Sequence, residues 1–92
     1  MLKTFTVTQE QIDAARDDLN ISAEHRDLVC PVARCLHENG YPHARVGCYG
    51  IRLYGKGYDP ISMPHTLVRA VCKFDLDDQM EPITFTLDIP ED

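Results

Sequence analysis

Apolar and polar residues alternate near both ends of the chain. Phe5 and Val7 alternate with threonines near the start, and residues 83–89 alternate over their whole length near the end. A period of two residues is typical of a strand with one buried face. The sequence therefore predicts one strand in each segment, with Pro90 ending the second.

Three helices are predicted between these two strands. Thr8–Gln11 has the capping-box form, in which each side chain bonds the backbone N–H of the other residue. A second helix is expected to begin at Cys30-Pro31, because proline is favoured at the first helical position, and to end at Gly40. A third begins at Pro64, and its apolar face consists of Leu67, Val68, Val71 and Phe74.

Two further short strands are predicted over residues 45–48 and 51–54. Tyr49-Gly50 lies between them and favours a hairpin turn. Arg45 and Arg52 each lie between two apolar residues on an alternating strand, so both should point to solvent. Polar or glycine- and proline-rich composition predicts loops over residues 20–28 and 55–61.

The predicted order is β-α-α-β-β-α-β. A chain of 92 residues fits a single domain, here 1–92, with one modest core. Alternating strands favour an α+β fold with a small, mostly antiparallel sheet of about four strands and helices on one face. Strand order cannot be read from the pattern.

Charge is unevenly distributed along the chain. The formal net charge is −6, yet residues 30–74 carry six basic and two acidic residues, whereas residues 75–92 carry seven acidic and no basic ones. The basic part also holds all four tyrosines and all five glycines. Two candidate surfaces of opposite sign follow from this division.

The basic candidate surface lies in the predicted hairpin. Tyrosine gives rigid contact area, and arginine gives planar hydrogen-bonding groups, a mixture typical of binding surfaces. The alternative is that the glycines serve turn geometry and the tyrosines border a small core. The candidate partner-binding residues are Arg45, Tyr49, Arg52, Tyr54 and Lys56.

The acidic candidate surface is predicted to follow the third helix. Asp75, Asp77 and Asp78 lie where carboxylates oppose the helix dipole, a local cost that invites a functional interpretation. Such carboxylates can imitate nucleic-acid phosphates. The simpler alternative is a solubilising loop and tail.

Enzymatic chemistry finds little support in the sequence. Four cysteines and four histidines are present, but no C-x₂-C pair occurs, so we expect no metal and no cofactor. Cys30 at a helix start could form a thiolate if His25 or His65 lay close, whereas the alternative is a small buried residue at the helix entry. No organised nucleophile, base and oxyanion site is apparent, and we predict that the chain is not an enzyme.

Three short motifs, in order, resemble a family of small phage and prophage proteins. The start, Phe5 to Ile12, resembles that family's "VTQExI"; Cys30–Ala33 resembles its "CPVA"; and Phe74-Asp75 with Pro82–Leu87 resembles its "FD…PxxFxL". The similarity spans nearly the whole chain, although Arg34-Cys35 replaces more apolar residues. These motifs are structural and transfer no chemistry.

A small, acidic phage protein with its own interaction surface is similar to anti-CRISPR inhibitors. The resemblance implies a partner, a type I (I-F-like) RNA-guided surveillance complex with its protein subunits and guide RNA, and a block of target-DNA hybridisation. Alternatives are a nucleic-acid-binding phage regulator and a zinc- or thiol-dependent enzyme. With neither a signal peptide nor a membrane span in the sequence, the expected location is the host bacterial cytoplasm, with no membrane or small-molecule partner.

Overall fold

The structure, a computed structural model, describes residues 1–21, 29–47, 50–53 and 61–89. The α+β class and the predicted order of elements are confirmed, whereas most of the two predicted loops lies outside the described residues. The elements are β1 (Leu2–Val7), α1 (Gln9–Ile21), α2 (Pro31–Glu38), β2 (Arg45–Gly47), β3 (Gly50–Arg52), α3 (His65–Asp77) and β4 (Ile83–Asp88).

The predicted capping box forms at the start of α1. The Thr8 backbone N–H donates to Gln11 Oε1 at 2.9 Å, and the Gln11 backbone N–H donates to Thr8 Oγ1 at 3.2 Å. Gln11 also donates through Nε2 to the Glu38 carboxylate at the end of α2. One side chain therefore caps α1 and links it to α2.

Both ends of α2 follow the sequence signals. Pro31 occupies the first helical position, and the Ala33 backbone N–H donates to Cys30 Sγ at 3.4 Å. At the other end, Gly40 adopts a φ of 102°, a conformation that glycine tolerates without steric cost. The Tyr41 N–H then returns to the Leu36 carbonyl at 3.0 Å, as in a Schellman motif.

The first and last strands pair with each other. β1 and β4 are antiparallel and in continuous register, from Leu2 opposite Asp88 to Val7 opposite Ile83. Their inner face is buried, whereas the outer face carries two cross-strand threonine pairs whose hydroxyls lie 2.9 and 3.0 Å apart. Helices therefore cover one face of this sheet, as predicted.

The prediction of one sheet of about four strands is wrong in detail. The described strands form two separate two-stranded sheets, β1 with β4 and β2 with β3. Alternation marks the buried face of a strand but leaves its hydrogen-bonding partner open. The β2–β3 hairpin and the β1–β4 pair are therefore both consistent with the alternation of apolar and polar residues, without forming one sheet.

The β2–β3 hairpin is confirmed, but its turn differs from the prediction. Gly50 belongs to β3 and lies opposite Gly47, so the connection is residues 48–49, which are outside the described residues. On the other side of β3, Ile51 and Ile61 exchange two backbone hydrogen bonds, of 3.1 and 2.7 Å. Ile61, expected in a loop, is therefore held against β3.

The core lies between the helices and the inner faces of the strands. Phe5 stacks on Phe85 with ring centroids 5.5 Å apart and meets Tyr41 edge-on at 6.2 Å. Tyr41 is 6% exposed, and its hydroxyl accepts a hydrogen bond from Lys3 Nζ at 2.9 Å. Tyr41 therefore borders the core, which is the alternative to a role in a binding surface.

Candidate binding surfaces

Two arginines lie side by side on the exposed face of the hairpin. Arg45 and Arg52 are direct cross-strand partners, and both are exposed. Their neighbours Val46 and Ile51 are buried, 2% and 0% exposed, so the strand pleat directs both guanidinium groups to solvent. The predicted orientation is confirmed, and the pair concentrates positive charge on this face.

The pairing of two arginines brings like charges to facing positions of the hairpin. Like charges directly opposite each other on an antiparallel pair are destabilising. Such an arrangement becomes favourable when an anion lies across both guanidinium groups, because arginine binds carboxylates and phosphates through a planar set of donors. The other predicted members of this surface, Tyr49, Tyr54 and Lys56, lie outside the described residues.

The acidic residues lie at the end of α3 itself. Asp75 and Asp77 were expected after the helix, but α3 continues to Asp77, because its backbone hydrogen bonds extend as far as the Asp78 N–H, which donates to Phe74 O at 2.8 Å. All three carboxylates are exposed, and the last turn of α3 contains no basic residue. Negative charge therefore accumulates where the helix dipole is itself negative.

The backbone conformation and hydrogen bonds of Asp77 and Asp78 explain how the chain is held at the end of α3. Asp78 adopts a left-handed conformation, with φ of 58°, which aspartate tolerates better than most residues. Its carbonyl accepts a 2.6 Å hydrogen bond from Arg16 Nε on α1. Asp77 Oδ1 accepts from the Gln79 backbone N–H at 3.0 Å, as in an Asx-turn. The backbone at this end is thus held, while the carboxylates remain exposed.

Leu76 is the feature of this surface that the sequence analysis missed. It lies between Asp75 and Asp77 and is 88% exposed, the most exposed of the large hydrophobic residues described. The signal was present, because Leu76 falls outside the buried stripe of Leu67, Val71 and Phe74 at helical spacing. It gives the acidic end of α3 an apolar contact point. We call Asp75, Leu76, Asp77 and Asp78 the α3 acidic end.

The cysteines of α2 are structural in their contacts. Cys30 is 2% exposed and caps the helix, which is the alternative expected for a small residue at the helix entry. Cys35 is fully buried and donates its thiol to Thr6 O at 3.4 Å. Burial, and secondarily the Glu38 carboxylate, raises the pKa of the Cys35 thiol above its ordinary value. The thiol therefore stays protonated at neutral pH.

Two further observations on the described residues concern metal binding and surface clefts. No three His, Cys, Asp or Glu side chains in the described ranges are grouped to hold a metal ion. An open cleft of about 390 Å³ lies between α3 and the segment leading into β4, where Lys73 and Glu81 border apolar side chains. Within the described ranges, no helix has the length and apolar character needed to cross a membrane.

Comparison with known proteins gives no relative for this chain. No protein-family model matches it, and no curated protein or solved structure is significantly similar to it. The resemblance to small phage proteins therefore stays a prediction that rests on the three motifs.

Proposed function

We propose that this protein acts by binding another macromolecule, and that its target is a type I RNA-guided surveillance complex whose pairing with target DNA it blocks. The observation that carries the proposal is the exposed Arg45–Arg52 pair on a chain whose net charge is −6. The pair places two guanidinium groups side by side on one exposed face of the hairpin. A partner with anionic groups would be attracted to this pair and would reduce the repulsion between its two charges.

The α3 acidic end supports a partner that also bears positive charge. Its carboxylates add to the negative end of the helix dipole, and Leu76 adds exposed apolar area among them. Charged residues around an apolar contact are the arrangement expected of a protein–protein contact with a basic surface.

A complex of protein and guide RNA would suit both surfaces. RNA-guided complexes hold the guide in a positively charged channel, in which the target strand must pair. The α3 acidic end would contact basic side chains of that channel, and Arg45 and Arg52 would contact RNA phosphates or an acidic protein patch. Occupation of the channel would then exclude target DNA, which is the activity of the anti-CRISPR inhibitors that the sequence resembles.

The experiment that tests this proposal measures binding of target DNA by a purified type I complex, with and without the protein. We expect target binding to fall as protein is added and the protein to co-elute with the complex. Unchanged target binding together with no co-elution would refute the proposal. Binding of free DNA or RNA alone, weakening steeply with salt, would instead indicate the nucleic-acid-binding alternative.

Matched variants separate specific contacts from net charge. Arg52→Glu should abolish inhibition, whereas Arg69→Glu, which makes the same charge change on exposed α3, should retain it. Leu76→Ser should weaken inhibition with little change in stability, because this side chain is 88% exposed. If Arg69→Glu weakens inhibition as much as Arg52→Glu, the hairpin pair has no special role.

A further inference from the structure

Among the described residues, one edge of β4 has no hydrogen-bonding partner. The Ile89 N–H donates to Met1 O at 2.8 Å, and Phe5 lies opposite Phe85 in the same register. Hydrogen-bonded and non-hydrogen-bonded pairs alternate along an antiparallel ladder, so Thr84, Thr86 and Asp88 belong to the non-bonded pairs. Their backbone N–H and C=O groups therefore point away from β1.

The two outer edges of the β1–β4 sheet differ in the hydrogen bonds that their outward backbone groups make. On β1, the outward Thr6 carbonyl accepts the Cys35 thiol of α2. On β4, no described residue outside β1 hydrogen-bonds to the backbone, and Thr84, Thr86 and Asp88 are all exposed. The strand also has continuous register with no bulge, and no lysine or internal proline, the usual devices that protect an edge.

The sequence of β4 is nearly symmetric about Thr86. Pro82 and Pro90 lie four residues on either side of it, Ile83 and Ile89 three, and Phe85 and Leu87 one. If two such strands pair antiparallel with Thr86 on the two-fold axis, isoleucine faces isoleucine and proline faces proline. Pro82, which lacks an N–H, would then end the shared ladder at the start of each strand.

We propose that two copies of this chain associate through β4, antiparallel about an axis at Thr86, to form one four-stranded sheet. Thr84 and Asp88 of each copy would pair across the axis, with a hydroxyl donor facing a carboxylate acceptor, and Thr86 would face its own copy. All outward N–H and C=O groups at these positions would be satisfied. An isologous interface of this kind needs a self-complementary strand, which β4 supplies.

The chemistry favours a second copy over an unrelated extended peptide. A peptide would need only the free edge, whereas the symmetric placement of prolines and isoleucines matches the strand to itself. Each copy carries a net charge of −6, so the copies repel each other at low salt. Added salt should screen that repulsion and strengthen association, which is opposite to the weakening expected for the charged contacts of the proposed function.

Sedimentation equilibrium tests the proposal on the whole chain, from low micromolar to near-millimolar protein at low and high salt. We expect a monomer–dimer equilibrium whose association constant rises with salt. Thr86→Pro should give a monomer, because it removes an outward N–H while leaving the bonds to β1. Thr86→Ala, which loses the same hydroxyl contact with Thr4 but keeps the N–H, should still dimerise.

Cysteine cross-linking tests the register. Residues that face each other in a hydrogen-bonded pair have Cα atoms about 5.5 Å apart, within reach of a disulfide, so Thr86→Cys should cross-link to its own copy on oxidation. Thr84→Cys is the matched control, because two copies of residue 84 would lie roughly 13 Å apart along the strands. The unsubstituted chain gives the background from its own cysteines.

A monomer at every concentration and salt would overturn the proposal. So would a dimer that persists in Thr86→Pro, since association would then use another surface. Equal cross-linking of Thr84→Cys and Thr86→Cys would overturn the register. None of these results depends on whether the protein inhibits an RNA-guided complex, so the two proposals can fail independently.

Discussion

Arg45 lies directly opposite Arg52 on the exposed face of the β2–β3 hairpin. Two cations at facing positions repel each other, so the hairpin carries a local cost. Both side chains are exposed, so an anionic group of a partner could contact the two guanidinium groups together.

Replacing one arginine should therefore stabilise the protein while weakening its binding. Arg52→Thr removes the repulsion and places a β-branched residue in the strand, and we expect a gain of about 0.5 kcal/mol in the free energy of unfolding. Urea denaturation measures this change, and the target-binding assay measures the loss of inhibition. A loss of stability would show that Arg52 is held by favourable contacts in the folded chain.

The left-handed conformation of Asp78 leads to a second prediction. Asp78→Gly relieves the backbone strain and removes a carboxylate from the negative end of α3, so stability should rise by roughly 1 kcal/mol. The hydrogen bond from Arg16 should persist, because Asp78 accepts it through its backbone carbonyl. Thermal denaturation tests the gain.

The same substitution separates a structural role from a binding role. If the carboxylate contributes to the α3 acidic end, Asp78→Gly should be more stable and bind its target less well. Asp17→Asn, an equal change of charge at an exposed position of α1, should leave binding unaltered. Destabilisation by Asp78→Gly would mean that the aspartate side chain is required to end α3.

Gln11 should be among the more sensitive polar positions, because its amide group makes two contacts. Gln11→Ala removes the bond to the Thr8 N–H and the bond to Glu38, and we expect a loss of about 1–3 kcal/mol. Gln9→Ala is the control, since Gln9 makes one exposed contact with Asp13 and should cost a few tenths of a kcal/mol. Comparable losses in both variants would contradict the role of the capping box.

The buried thiol of Cys35 predicts a loss of stability in alkaline solution. Its pKa is raised in the folded protein above the ordinary value of 9.0, so the unfolded chain releases this proton first. The contribution is complete below pH 9.0 and is lost as the pH rises from there through the higher folded value, with a slope of up to about 1.4 kcal/mol per pH unit. Denaturation curves across this range measure the slope.

Cys35→Ser provides the comparison for that slope. Serine can still donate to the Thr6 carbonyl but does not titrate in this range, so the alkaline loss should become shallower by the contribution of one proton. An unchanged slope would assign the alkaline loss to other groups.

Local signals predicted local structure well in this chain. The Thr8–Gln11 capping box, Pro31 at the start of α2 and Gly40 after its end all act through contacts within one helical turn, and all three are confirmed. The pairing of strands was not predictable in the same way, because alternation in residues 83–89 leaves open which strand is the neighbour.

The candidate surfaces were predicted unequally for a similar reason. Strand alternation correctly directed Arg45 and Arg52 to solvent. The predicted end of α3 is too early, because aspartates are unfavourable at a helix C-terminus and therefore predict that the helix stops before them. Leu76 was then overlooked, although its position off the buried stripe of α3 was readable.

The pairing of β1 with β4 has a consequence for when the protein can fold. Val7 pairs with Ile83. Formation of this sheet therefore closes a loop that contains both other strands and all three helices of the described chain. Contacts so distant in sequence slow folding, since the entropy of the intervening chain is lost before the contact forms. During synthesis, β1 would remain exposed until residue 88 has left the ribosome, and α2 would have to form without the complete sheet against which it finally packs.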